Sequence, residues 1–285
     1  MAVVGVLGAR SAWQLQHWRN TEALFRHVLS VDPDNYMAHN QLGVISWNAD
    51  KIADAEKHFE EAIEADTSFV LARRNLGLLR LRQNRTDEAL TQFNEAGDWG
   101  DGPSLLEAAQ IFLRQGEGEN ALEACEKAIA MGEQSSTAWT MRGVLLLGQK
   151  KFDEAEPVLI HAISLDPNNG RAYQHLAVAY LQQGKLDKAR LQFAYGASLE
   201  PAIADDVEKL VEQSKEQDPI LLDISAACLS QVEKFGVACR RIEAALKLAF
   251  IQGRTDLIPG MQSRLRAYLN DQTYLEFSVT QLPGS

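Results

Sequence analysis

The side chains able to do chemistry in this chain are its carboxylates, three cysteines and six histidines: His17, His27, His39, His58, His161 and His175. A zinc site read from local spacing needs H-x-x-x-H or H-E-x-x-H, which sets two imidazoles on one helix face, and no histidine pair has that spacing. Cys125, Cys228 and Cys239 form no C-x-x-C unit, so each reads as a small buried hydrophobe. Acid pairs such as Glu60-Glu61 fall on helix surfaces, where a solvated carboxylate is the ordinary state. The glycines of 97–102 lack the Lys-Ser/Thr that a phosphate loop requires, and no G-x-S-x-G nucleophile elbow occurs. The expectation is a chain with no catalytic residues, no cofactor and no metal.

The elements that would position these groups follow a period. Leu42-Gly43, Ala55, Phe59 and Ala62 return thirty-four residues later as Leu76-Gly77, Ala89, Phe93 and Ala96. Gly143, Ala155, Leu159 and Ala162 repeat the register, as do Leu176-Ala177, Ala189, Phe193 and Gly196. A worn copy, Ala108-Ala109, Ala121, Cys125 and Ala128, lies between them after thirty-two residues, entered through what reads as an irregular glycine-rich loop at 97–103. Five copies in register, each with a small residue midway along each helix, resemble the tetratricopeptide repeat. The fold class is therefore expected to be all-α, a right-handed α-solenoid of helix-turn-helix repeats closed by a C-terminal capping helix.

Antiparallel helices approach to about 8 Å only where one offers Gly or Ala against a bulky residue on the other. Gly43, Gly77 and Gly143 supply that notch, the alanines do the same for the second helix, and Phe59, Phe93 and Phe193 are expected to project toward the next repeat. Asp32-Pro33, Asp166-Pro167 and Glu200-Pro201 stop the second helices, because proline lacks a donor and pushes its predecessor out of the helical region. Stepping back one period gives Thr21 and Phe25, so the array opens on a half-repeat.

At 46% apolar and 24% charged the chain has a globular composition, and its core should be distributed between neighbouring repeats. The formal charge of −11 argues against a nucleic-acid partner, since phosphate binding draws on Lys and Arg. The expected organisation is an apolar tail or membrane-helix stub at 1–17, the repeat array at 18–201, an exposed acidic helix within 202–218, a degenerate sixth repeat at 219–253, and a cap and tail at 254–285. Met261, Leu265 and Leu269 are the expected inner face of that cap, and Arg254, Arg264 and Arg266 its solvated basic side. The apolar stretch at 1–9 has no basic residue ahead of it and is far short of the roughly 20 residues that span a bilayer.

A narrower resemblance rests on Trp18-Arg19-Asn20, Leu24-Phe25-Arg26, Asn35-Tyr36 and Ala38-His39-Asn40 with Leu42-Gly43, and on Ala244-Ala245-Leu246-Lys247-Leu248-Ala249, Gly253, Arg264-Leu265 and Tyr268. These words resemble the region after the last membrane helix of multi-pass proteins with C-terminal tetratricopeptide repeats, related to glycosyltransferases of the O-mannosyl type. That kinship implies a soluble arm without the transmembrane catalytic portion, and association with a membrane protein.

In tetratricopeptide proteins the first helices line a concave groove for a peptide or protein partner. By register that resemblance places Asn40, Gln41 and Trp47 on the groove face, then Arg74 and Asn75, Gln110 and Arg114, and last Arg171, Gln174 and His175. Amides suit such a face because they donate and accept at once. Trp47 could anchor a partner or pack on the half-repeat through Phe25, whereas Trp139 falls on a core position. The clamp of chaperone adaptors is not matched, since only Asn75 fits, and the asparagine ladder of the O-linked N-acetylglucosamine transferase is replaced by Gln41, Asn75, Glu107, Met141 and His175. The leading expectation is a noncatalytic scaffold whose groove takes a protein or peptide; the alternative is the acceptor-presenting arm of a membrane glycosyltransferase-like protein. Compartment stays open, on the cytoplasmic or the extracytoplasmic side of a membrane. A large residue at Ala55 or Ala155 is expected to overpack its hairpin by roughly 1–3 kcal/mol; an unchanged melting temperature would refute this register.

Overall fold

The computed structural model describes residues 21–274, and those residues form fifteen α-helices with no strand among them. The apolar stretch at 1–9, His17 and the Trp18-Arg19-Asn20 word lie outside the described residues. The chain divides into two compact units, Met1–Glu133 and Gln134–Ser285, a division that the repeat period does not announce.

In the first unit, α1 (Thr21–Val31) packs on the first helix of a hairpin, α2 (Tyr36–Asn48) with α3 (Ile52–Ala65). The hairpins α4 (Val70–Arg82) with α5 (Thr86–Asp98) and α6 (Gly102–Gln115) with α7 (Gly118–Ala130) follow. The second unit holds α8 (Ser136–Gly148) with α9 (Phe152–Leu165), α10 (Gly170–Gln182) with α11 (Leu186–Leu199), the single helix α12 (Ala202–Gln213), α13 (Pro219–Gln231) with α14 (Phe235–Ile251), and the closing helix α15 (Ile258–Tyr268).

Local chemistry sets the helix limits. Asn35, Asp101, Ser135, Asn169 and Asp218 cap the first helices by accepting from backbone N–H groups of the first turn. At the turns inside hairpins the chain passes through the left-handed region at Asp50, Asn84, Gly116, Lys150 and Gly184. The 97–103 stretch is more regular than its glycines suggest. Helix α5 continues to Asp98, only 99–101 are irregular, and Gly102 is buried within α6, where an added Cβ would lie 3.1 Å from Glu133.

Each hairpin closes on its notch. A Cβ at Gly43 would sit 2.6 Å from the Phe59 ring, one at Gly77 2.6 Å from Phe93, and one at Gly143 2.5 Å from Leu159. The second-helix aromatics therefore fold back under their own hairpin's glycine as well as reaching the next repeat, where Phe59 shares a cluster with Leu76 and Leu79 of α4. Phe93 does the same with Ala108 and Ile111 of α6, so the apolar core lies between neighbours.

The second unit departs from the plain stack in two places. Helix α12 is not simply exposed: Ile203, Ala204, Val207 and Val211 are buried, and the first three join Phe193, Ala197 and Ile224 in one cluster. Asp205, Lys209, Leu210, Glu212 and Gln213 stay exposed, and Asp206 and Glu208 are half-buried. In α15 the buried stripe is Met261, Arg264, Ala267 and Tyr268, whereas Leu269 is 65% exposed. Arg264 is thus not solvated. Its Nε donates to Asp223 Oδ1 at 2.8 Å and its Nη2 to Oδ2 at 2.7 Å, while Arg190 Nε from α11 donates to the same carboxylate at 2.9 Å. One fully buried carboxylate on α13 holds arginines from α11 and α15, and Asp187 supplies Arg190 with a second partner at the surface.

Removing one member of a buried ion network strands the remaining charges and costs about 3–5 kcal/mol. Asp223→Ala is therefore expected to lower the urea midpoint and to raise hydrogen exchange across 186–274, while Asp187→Ala costs far less. Equal effects of the two substitutions would show that the buried carboxylate does not tie the cap.

Candidate functional site

The residues that the register places on the groove face fall into two groups, one in each unit. In the first unit the first helices α2, α4 and α6 carry them. Asn40 is 4% exposed, and its Oδ1 accepts from Asn75 Nδ2 at 2.9 Å, so these two amides tie one repeat to the next. Trp47 packs edge-on against Phe59 of its own hairpin, with ring centroids 6.3 Å apart, and shares a cluster with Val44 and Ile52. Trp47 is half-buried, and the ring it meets edge-on is Phe59 of its own hairpin.

Gln41 and Arg114 are exposed, and Arg74, Asn75 and Gln110 are half-buried. Arg74 Nη1 donates to Asp101 Oδ1 at 3.4 Å across consecutive repeats. Burial pushes the Glu107 carboxyl above its usual range, and the charges of Arg114 and Arg74 pull it back. Arg74 on α4 and Glu107 and Arg114 on α6 therefore lie within electrostatic reach of one another. Leu71, 41% exposed, adds an apolar group to α4.

The second-unit group is engaged internally. Arg171 Nη1 donates to Asp206 of α12 at 2.6 Å and to Gln174 Oε1 at 2.7 Å, while its Nε lies 3.2 Å from Glu200. Burial, and then the charge of Arg171, push the His175 imidazole down to about 4, so it is neutral near pH 7. The inserted helix thus meets the cation of this group with its own acid.

Sequence spacing missed a different constellation. His39 of α2 meets His58 and Glu61 of α3, with His39 Nδ1 3.3 Å from His58 Nδ1 and 3.0 Å from Glu61 Oε2. His58 Nδ1 lies 3.1 Å from the same oxygen. Burial pushes the His58 imidazole below its usual range, with Glu61 opposing and His39 adding to the shift. The signal was present but non-local: His39 lies one turn before the notch glycine, and His58 adjoins the phenylalanine that fills the notch. Trp139 is half-buried and meets His161 edge-on at 4.4 Å, with the Arg142 guanidinium 5.6 Å from its ring centre. Cys125 and Cys228 are buried and Cys239 is partly so, all three as free thiols.

Comparison with known proteins bears on this arrangement. The tetratricopeptide-repeat family is matched over residues 6–68, 47–103, 106–159 and 146–194. Protein O-mannosyl-transferase TMTC3 of Mus musculus is 26% identical over 182 residues, which is 58% of this chain and 20% of that protein. DnaJ homolog subfamily C member 3 of Homo sapiens is 27% identical over 201 residues, 69% of this chain and 36% of the relative. The chain thus spans about a fifth to a third of the length of these two relatives. Among solved structures, YrrB, described as a TPR protein with an unusual peptide-binding site, superposes with a TM-score of 0.53 at 18% identity, covering 65% of this chain and 97% of that one. At that identity the likeness shows the fold.

The Asn40–Asn75 tie is testable by a double-mutant cycle. Asn40→Ala is expected to cost about 1–3 kcal/mol by leaving a half-buried amide without its acceptor, and adding Asn75→Ala should cost less than the sum. Strictly additive losses in urea unfolding would dissolve the tie.

Proposed function

This chain belongs to the tetratricopeptide-repeat family, and from that premise we propose that it is a noncatalytic scaffold binding a protein or extended peptide along the first helices of its first unit. The observation that carries this reading is that Arg74 on α4 lies within electrostatic reach of Glu107 and Arg114 on α6, with exposed Gln41 and Leu71 and half-buried Asn75 assigned to the same face by the repeat register. Amides and guanidinium groups can meet a peptide backbone and its carboxylates, and Leu71 can meet an apolar side chain. The second-unit group, Arg171, Gln174 and His175, is less suited, because Arg171 already has two carboxylate partners and His175 carries no charge.

A second reading is favoured by the TMTC3 similarity, which covers 58% of this chain. On that reading the repeats are the arm of a membrane glycosyltransferase-like protein and present acceptor proteins to it. Among the described residues no helix is long and apolar enough to cross a membrane.

A pull-down from native membranes and from the soluble fraction tests both, using the full chain and a Gln41→Ala/Leu71→Ala/Arg114→Glu variant. These positions are exposed, so the melting temperature should hold while retained partners fall at least about tenfold, the loss expected when roughly 1.4 kcal/mol of contact is removed. Partners lost from the variant and drawn from the soluble fraction support the scaffold; integral membrane proteins with sugar-transfer activity support the arm. Identical lists from variant and intact chain would move binding off this face.

A further inference from the structure

One position of the repeat is filled by different chemistry in each hairpin. In the second repeat Arg73, thirty-four residues after His39, pairs with Glu95, thirty-four after Glu61, and its Nη2 donates to the Thr67 carbonyl at 3.0 Å. In the fourth repeat the same pair is Trp139 on His161, and in the fifth Tyr173 stacks on Tyr195 with centroids 5.8 Å apart. These are two-residue latches between the helices of a hairpin. The first repeat differs by adding a third side chain of metal-ligating type, His58, where the second, fourth and fifth have Gln92, Val158 and Gln192.

We infer that His39 Nδ1, His58 Nδ1 and Glu61 Oε2 form a three-ligand site for a divalent transition ion of the zinc class. Their separations, 3.3, 3.1 and 3.0 Å, sit close to the roughly 3.3 Å edge of a tetrahedron drawn around an ion with bonds of about 2.0–2.1 Å. Two imidazoles and one carboxylate suit such an ion and leave one coordination position for water.

The hydrogen bonding around the trio suits the same assignment. His39 Nε2 lies 2.8 Å from the Pro33 carbonyl, which can accept its proton when Nδ1 binds an ion. A cation bound by the trio engages all three ligand atoms at once. The His39 bond to a backbone carbonyl is also the outer contact that orients a metal-bound imidazole and raises its basicity. Glu61 turns its other oxygen toward Lys57 at 3.6 Å, which leaves Oε2 to the imidazoles. A cleft lined by Pro33, Asp34, His39, Glu61, Glu64 and Ala65 reaches two of the three ligand residues, His39 and Glu61.

The test is titration of the untagged full chain with Zn2+ by calorimetry and with Co2+ by visible absorption. One Zn2+ per chain is expected, with the intense bands of four-coordinate Co2+. His39→Gln/His58→Gln should abolish both signals, Glu61→Gln should weaken binding at least about tenfold, and His161→Gln should change neither, with circular dichroism confirming that all variants are folded. Zn2+ should also raise the melting temperature of the intact chain and not that of the double variant. Absence of binding by the intact chain, or equal binding by the double variant, overturns the site and leaves the trio as an imidazole counterpart of the Arg73–Glu95 latch.

Discussion

The close crossing of the two helices within a hairpin is the constraint from which the rest of this structure follows. Gly43, Gly77 and Gly143 have no side chain, and Phe59, Phe93 and Leu159 fill the space that a Cβ would occupy. Because the filler also contacts the following repeat, closing one hairpin prepares the surface for the next. Stability is then a sum over neighbours instead of the property of one central core. Overpacking at a notch should consequently be felt in the repeat where it occurs and in the one stacked on it.

Once the apolar crossing fixes the backbone, the position one turn before the notch becomes available for varied chemistry. An imidazole facing a carboxylate, a guanidinium facing a carboxylate, an indole against an imidazole and two stacked phenols all occupy it. In the two carboxylate pairs the second-helix partner keeps solvent contact, so each contributes modestly. Their interchangeability indicates that the hairpin does not depend on any one of them. The position in the first repeat is therefore free to carry ligand atoms without endangering the fold.

The second unit shows how a repeat array accommodates a departure from its period. Helix α12 enters between the fifth and sixth hairpins and is held by Ile203, Ala204 and Val207, while Asp206 reaches Arg171. Beyond it the closing helix is secured by a buried carboxylate with two arginines as well as by apolar surface. An apolar face alone would accept the cap in several orientations, whereas a bidentate Arg264–Asp223 pair accepts one. The same pair explains why a residue of the expected basic surface is buried.

The sequence by itself determined the helices, their pairing and the notch positions, because these depend on a period and on local stops such as Asp166-Pro167. By register it assigned Gln41, Arg74 and Arg114 to one face, and Arg74 and Arg114 lie within electrostatic reach of Glu107. Tertiary structure alone decided which polar groups would be buried and with whom. Asn40 meets Asn75 thirty-five residues away, Arg264 meets Asp223 at forty-one, and His39 meets His58 at nineteen. Each helical residue advances about 100°, so a shift of one position turns a stripe from solvent to core, as Leu269 and Tyr268 show. A period fixes the path of the backbone, but partnership between polar groups depends on the phase of two different helices, and that phase is set only when they pack.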